Sequence, residues 1–221
     1  MKNIIIVGAS GHAKVIIDII ELQEELNIVG LIDSFKPVGT EVCGYEIIGT
    51  ENDLPMLIDT LNLTGGIIAI GDNYTRKQMA DKIKISNPEF SFYSAIHPNA
   101  TIGKGVSIGN GSVVVAGAII NADSTIGDFC IVNTNASVGH ECIMKDYSSM
   151  APGSTLGGNS NVGLCTSVCL GANIIHGIEI GSHCIIGAGS TVVKPVEDLV
   201  MVYGVPGRVI KNLEKGEQYL K

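Results

Sequence analysis

Read for the spacing of apolar residues, the chain divides into two stretches with different periods. From Ile96 onward every sixth residue is aliphatic: Ile96, Ile102, Ile108, Val114, Ile120, Ile126, Val132, Val138, Met144, Met150, Leu156, Val162, Val168, Ile174, Ile180, Ile186 and Val192. None of these 17 positions breaks the pattern. Two residues earlier, the column from Ala100 to Ser190 holds Ala, Ser, Cys or Thr at 14 of 16 positions, the exceptions being Val106 and Ile178. Gly follows the aliphatic residue in 8 of the 17 hexads. A repeat this short and this unbroken predicts a triangular coil in which each hexad makes one flat face. The aliphatic side chain fills the prism and the small residue fits near a corner. Three hexads close a coil, so residues 18 apart stack at the ~4.8 Å spacing of a parallel sheet. The expected architecture over 96–193 is a left-handed parallel β-helix of hexapeptide repeats.

Residues 1–85 follow other periods. Ile4–Val7 reads as a strand, Gly8-Ala9-Ser10-Gly11 as a turn, and His12 to about Leu26 as a helix with Val15, Ile16, Ile19, Ile20 and Leu22 on its apolar side. Ile28–Ile32 is a second strand ending at Asp33, Glu51–Leu61 a helix, Gly66–Ile70 a strand and Asn73–Ile85 a further helix. This alternation predicts a Rossmann-like βαβαβ half-domain with a parallel sheet. A short strand near Phe90–Tyr93 belongs to a connecting segment, 86–95, and 194–221 forms a C-terminal tail.

Composition supports the prism. The chain has 28 Gly, no Trp and only 5% aromatic residues, so its 45% apolar content must be buried as regularly stacked aliphatics. A net charge of −8 argues against nucleic acid or an anionic membrane as the main partner. No apolar run approaches the roughly 20 residues of a membrane span. The run Ile4–Val7 is too short for a signal peptide and flows into a glycine turn, so a cytoplasmic location is expected. Cys130, Cys142 and Cys184 fall in the small-residue column and read as reduced space-fillers. Cys165 and Cys169 form an isolated C-x-x-x-C, and no metal is expected.

Candidate chemistry lies in two places. The glycine turn would offer backbone N–H groups and a helix N-terminus to a phosphate, with Asp33 placed to meet a ribose or base. The turn lacks the second glycine of G-x-G-x-x-G, and a half-fold has no full dinucleotide crevice. A mononucleotide or nucleotide-sugar is therefore favoured over a nicotinamide cofactor, beside the plainer reading of a structural strand–helix connection. On the prism, one corner column runs Lys104, Ala122, His140, Gly158, His176, Lys194. His140 has very small neighbours above and below. That suits a general base working on a bound substrate, and it equally suits a surface histidine at a turn. His176 reads as a groove wall, and His97 and His183 as structural.

The ordered set Val7-Gly8-Ala9-Ser10-Gly11-His12, Ile70-Gly71-Asp72-Asn73, Ile96-His97-Pro98, Asn133 to Cys142 and Val202-Tyr203-Gly204-Val205-Pro206-Gly207 resembles the NeuD/PglD-like sugar acetyltransferases along essentially the whole chain. What the resemblance implies is acetyl transfer from acetyl-CoA to a sugar, with His140 matching the catalytic base and Glu141 the acid that assists it. Ser10, Gly11 and His12 match the turn that holds uridine diphosphate; Asp33, Ser34 and Gly71 match further nucleotide contacts. Ser149, Leu170 and Ala188 match acetyl-CoA contacts, with Gly158 lining the same cleft. Some relatives carry histidine at the place of Ser149 and a second acid at that of Ser34. The resemblance also implies a homotrimer with active sites between neighbouring prisms.

The register adds that Leu170 and Ala188 share a second corner column with Ala116, Thr134 and Pro152, along which an extended pantetheine arm would lie. Lys194, Arg208 and Lys211 are candidates for the 3′-phosphate of CoA. The expected function is N-acetylation of the amino group of a UDP-linked amino-sugar. The alternatives are O-acetylation of a sialic acid or related sugar, and a non-catalytic β-helix scaffold.

Overall fold

The computed structural model describes residues 1–217. Two compact units are present: one joins Met1–Gly71 to Thr75–Pro98, the other joins Asp72–Tyr74 to the chain from Asn99 onward.

In the first unit, β1 (Lys2–Val7), α1 (Gly11–Gln23), β2 (Leu26–Ile32), β3 (Glu41–Val42), β4 (Tyr45–Gly49), α2 (Leu54–Leu61), β5 (Gly65–Ile68), α3 (Asn73–Ser86) and β6 (Ser91–Phe92) follow in order. The sheet runs β3-β4-β2-β1-β5-β6 and is parallel except for the β3–β4 hairpin. Its centre is aliphatic: Ile4, Ile5 and Ile6 of β1 are fully buried, as are Ile16, Ile19 and Ile20 of α1. Leu22, expected on that face, is exposed, and Ala13 and Ile17 are buried in addition. Helix α1 stops at Gln23, earlier than its apolar pattern suggests. Glu24 turns left-handed (φ 56°), donates its N–H to Ile20 O, and frees Leu26 to open β2.

Two further differences shape the site. The hairpin Glu41–Gly49 is not visible as strands in the sequence, because its turn residues Cys43 and Gly44 (φ 48° and 84°) lack the Asn-Gly or Asp-Gly signal. Helix α2 begins at Leu54, not Glu51. Asp53 accepts the N–H and hydroxyl of Thr50, and Pro55 starts the helix, which leaves Glu51 on the preceding turn.

In the second unit two-residue strands recur every six residues and stack in three parallel sheets at an offset of 18, as in Ile119↔Ser137, Val113↔Ile131 and Thr125↔Ile143. These are the faces of the left-handed prism. Inside, Val114, Val132, Met150, Val168 and Ile186 make one fully buried ladder. The small-residue column is buried too, and its hydroxyls are satisfied by backbone: Ser124 Oγ donates to Gly139 O (2.7 Å) and accepts from Cys142 N (3.1 Å). At the corners, every sixth residue from Gly105 to Gly189 lies at positive φ, glycine at some and Asp123, Phe129, Asn135, Glu141, Tyr147, Asn159, Cys165 or His183 at the others. After Thr191–Val192 the stacking interval shortens, with Ile186 opposite Val202, and Val200–Tyr203 pairs antiparallel with Arg208–Asn212. The segment assigned as a tail thus begins with two more strands. No helix among the described residues is long and apolar enough to cross a membrane.

Candidate active site

On the prism, His140 and Glu141 form a pair: His140 Nδ1 lies 2.9 Å from Glu141 Oε2. Consecutive strand residues point to opposite faces, so such a pair needs a turn. Glu141 supplies it, standing at a left-handed corner with φ 56°. With the carboxylate accepting the Nδ1–H, the lone pair belongs to Nε2, which lies on the Gly158 side of the ring. The His140 side chain is 66% exposed. Beneath it is Gly158, where a Cβ would lie 2.5 Å from His140 Nε2. The missing side chain at 158 is therefore the space the imidazole occupies.

The amides along this corner differ from those of another. There, Asp128, Asp146 and Asp198 carboxylates accept the N–H groups of Asn110, Asp128 and Ser182. Among the described residues the His140 corner carries no carboxylate in that role. Gly158 O accepts from Gly177 N, whereas the Gly158 N–H has no partner among the described residues and remains a donor.

Leu170 and Ala188 are exposed on the remaining corner, as expected from the register. The carbonyls of Thr134, Pro152 and Leu170 in that column accept N–H groups of the following coil, whereas the Leu170 and Ala188 amides have no partner among the described residues. Ser149 is not with them. It is 5% exposed, and its Oγ accepts from Asn73 Nδ2 (3.0 Å), which also donates to Ser167 Oγ (2.8 Å). Asn73, fully enclosed, is not singled out by sequence reasoning; its place in the ordered motif Ile70 to Asn73 is the one signal. Of the three cations considered for a 3′-phosphate, Lys194 and Arg208 are exposed and Lys211 pairs with Glu217.

The first unit holds a cavity of about 190 Å³ lined by Ser10, Asp33, Ser34 and Gly71, four of the six expected nucleotide residues, together with Gly8, Phe35, Glu51, Thr75 and Met79. Helix α1 opens here with no side-chain cap and no acid in its first turn; Ala13 N donates to Ser10 O (3.1 Å), and the N–H groups of Gly11 and His12 face no side-chain acceptor among the described residues. Gly8 (φ 104°) lets the turn pass close to Ala69, whose carbonyl a Cβ would meet at 3.1 Å. Asp33 lines the cavity while bonded within the fold, its Oδ2 accepting Ala9 N (2.8 Å) and its Oδ1 accepting Phe35 N (2.8 Å) and Lys36 N (3.0 Å). It ties the glycine turn to the loop after β2.

Gly11 is exposed at the helix start, and His12 is not among the cavity lining. Burial, then the Arg76 guanidinium, push the His12 imidazole down to about 4, so it is neutral at pH 7. Its Nε2 is buried without a hydrogen-bond partner. Arg76, itself buried, donates to the carbonyls of Ile70 and Gly71 at 2.9 Å. Among the described residues no cluster of His, Cys, Asp or Glu could hold a metal ion.

Comparison with known proteins agrees with both halves. Residues 3–83 match the PglD N-terminal domain. A UDP-N-acetylbacillosamine N-acetyltransferase of Bacillus subtilis (strain 168) is 37% identical over 118 residues, 52% of each chain. The chain thus spans about half the length of the curated relatives it matches. A histidine-to-asparagine variant of perosamine N-acetyltransferase from Caulobacter crescentus, solved with CoA and GDP-perosamine, is 36% identical, with 96% of this chain and 98% of that one covered and a TM-score of 0.89. The acetyltransferase domain of PglB from Neisseria gonorrhoeae FA1090, solved with acetyl coenzyme A, is 30% identical, with 95% and 99% covered and a TM-score of 0.85. Motif order, prism and full-length likeness converge: the chain belongs to the NeuD/PglD-like sugar acetyltransferases, a hexapeptide-repeat, β-helical acyltransferase family.

Proposed function

We propose that the protein transfers the acetyl group of acetyl-CoA to the amino group of a nucleotide-linked amino-sugar, with His140 as general base. The observation that carries this reading is the His140–Glu141 pair above Gly158: an exposed imidazole, hydrogen-bonded through Nδ1 and seated over a residue with no side chain to displace it. The nucleotide end is held at the glycine turn, by Ser10, Gly11, Asp33, Ser34, Gly71 and the His12 segment. A UDP-sugar, expected from the sequence, and the GDP-perosamine of the Caulobacter relative are two forms of such a substrate.

The sugar amine attacks the thioester carbonyl while His140 Nε2 takes the proton that the nitrogen loses. The carbonyl oxygen gathers negative charge and is met by the Gly158 N–H. Collapse re-forms the carbonyl and expels the CoA thiolate, which receives the proton back from His140. Glu141 keeps Nδ1 hydrogen-bonded throughout. The exposed Leu170 and Ala188 amides orient the pantetheine arm. The buried Ser149 serves the fold through Asn73. The working form is a homotrimer in the cytoplasm, with a neighbouring copy closing the open side of the His140 corner.

The test is mass spectrometry of acetyl-CoA incubated with nucleotide-linked amino-sugars and with free sialic acids. Acetylation of the amine is expected, and His140→Ala lowers kcat by about 10²–10⁴-fold. Undiminished turnover in that variant removes the base assignment, and transfer only to a hydroxyl of a free sugar replaces the N-acetyl reading.

A further inference from the structure

The cavity of the first unit carries one charged group that the phosphate and ribose do not require. Glu51 lines it, with a side chain only 12% exposed. Sheet order places it two strands from the glycine turn: the turn follows β1, Asp33 follows β2, and Glu51 follows β4. Two strand spacings are about 10 Å. A diphosphate on the first turn of α1 and a ribose beyond Asp33 bring a base to the end of β4.

Both carboxylate oxygens of Glu51 are oriented. Lys82 Nζ donates to Oε1 at 2.8 Å, and Ser34 Oγ donates to Oε2. Partial burial works toward the neutral acid, but the hydrogen bonds from Lys82 and Ser34 prevail and hold the carboxyl below its usual range, hence ionised. Each oxygen keeps a further acceptor site. Beside it, Phe35 is 97% exposed although it borders the cavity, and Met79 and Thr75 are also in the lining. A bare aromatic ring at the mouth of a cavity suits the face of a planar base.

An ionised carboxylate presents two acceptors side by side. Uracil and thymine offer one donor between two carbonyl oxygens, so a second carboxylate oxygen meets repulsion. Adenine and cytosine offer a donor next to an unprotonated ring nitrogen. Guanine alone among the common bases presents two adjacent donors, N1–H and the 2-amino group. We propose that the cavity selects guanine, so that the amino-sugar is carried on GDP, with Glu51 as the specificity-determining residue and Phe35 as the stacking platform. This inference rests on the reading of the cavity as the nucleotide site and replaces the uridine expected from the sequence.

The test is calorimetric titration of the intact protein with GDP, IDP, UDP, CDP and ADP. IDP matters most, because it lacks only the 2-amino group of GDP. GDP is expected to bind about 10- to 100-fold more tightly than IDP, the range for a hydrogen bond to a charged partner, and at least as far ahead of UDP. In Glu51→Gln the GDP-to-IDP ratio falls toward unity, while Phe35→Ala weakens both alike. UDP binding as tightly as GDP in the unaltered protein overturns the proposal, and this arm needs no variant. An unchanged ratio in Glu51→Gln overturns it as well. If none of the diphosphates binds, the nucleotide reading itself fails, an outcome distinct from binding without preference for guanine.

Discussion

In the proposed mechanism the chemistry turns on Gly158, although it contributes no side chain. Its backbone is not in the left-handed region, so alanine is tolerated there by the main chain. The added methyl would meet the His140 ring at 2.5 Å, and the exposed ring would swing aside rather than strain the coil. Gly158→Ala is therefore expected to leave the thermal midpoint nearly unchanged and to lower kcat about 100-fold, the effect of misplacing a reacting group by roughly an ångström. A variant as active as the unaltered protein by acetyl-CoA turnover would separate the histidine from the reaction. The sequence already puts His140 between two small neighbours, because stacking at 18 is a matter of counting. It does not show that Glu141 bends back to Nδ1, since that depends on a corner dihedral.

The elements are legible in the sequence to different degrees. The prism is readable because every coil repeats one local rule, so an error at any position would show as a break in the column. The hairpin of β3 and β4 and the late start of α2 are not, because each is decided by a few turn residues: Cys43-Gly44 in one case and Thr50 with Asp53 in the other. The stacked ladder gives its own expectation. Leu156 is 1% exposed and lies between Val138 and Ile174 in adjoining coils. Leu156→Ala should cost about 2–5 kcal/mol in urea denaturation. In a solenoid each coil touches only its neighbours. Hydrogen exchange should accordingly rise around Val138 and Ile174 far more than around Ile102, and a uniform rise would contradict that locality.

For the whole molecule, the exposure of His140 has a consequence for assembly. A corner that is open to solvent touches a substrate from one side, and excluding water from the reaction requires a second surface. The trimer proposed above supplies it. Sedimentation should show a mass near three times 23.1 kDa, with specific activity falling as dilution dissociates the assembly. A monomer that retains full specific activity would place the whole site within one chain. The 18-residue stacking interval also governs how such a chain can change its length over time. An insertion or deletion of one full coil on the N-terminal side of His140 preserves the corner on which the histidine stands. A change of six or twelve residues carries it to another corner, and a number that is not a multiple of six destroys the inward column. Length variation in this protein is thus quantised, and the histidine can be inherited in working position only across whole-coil steps.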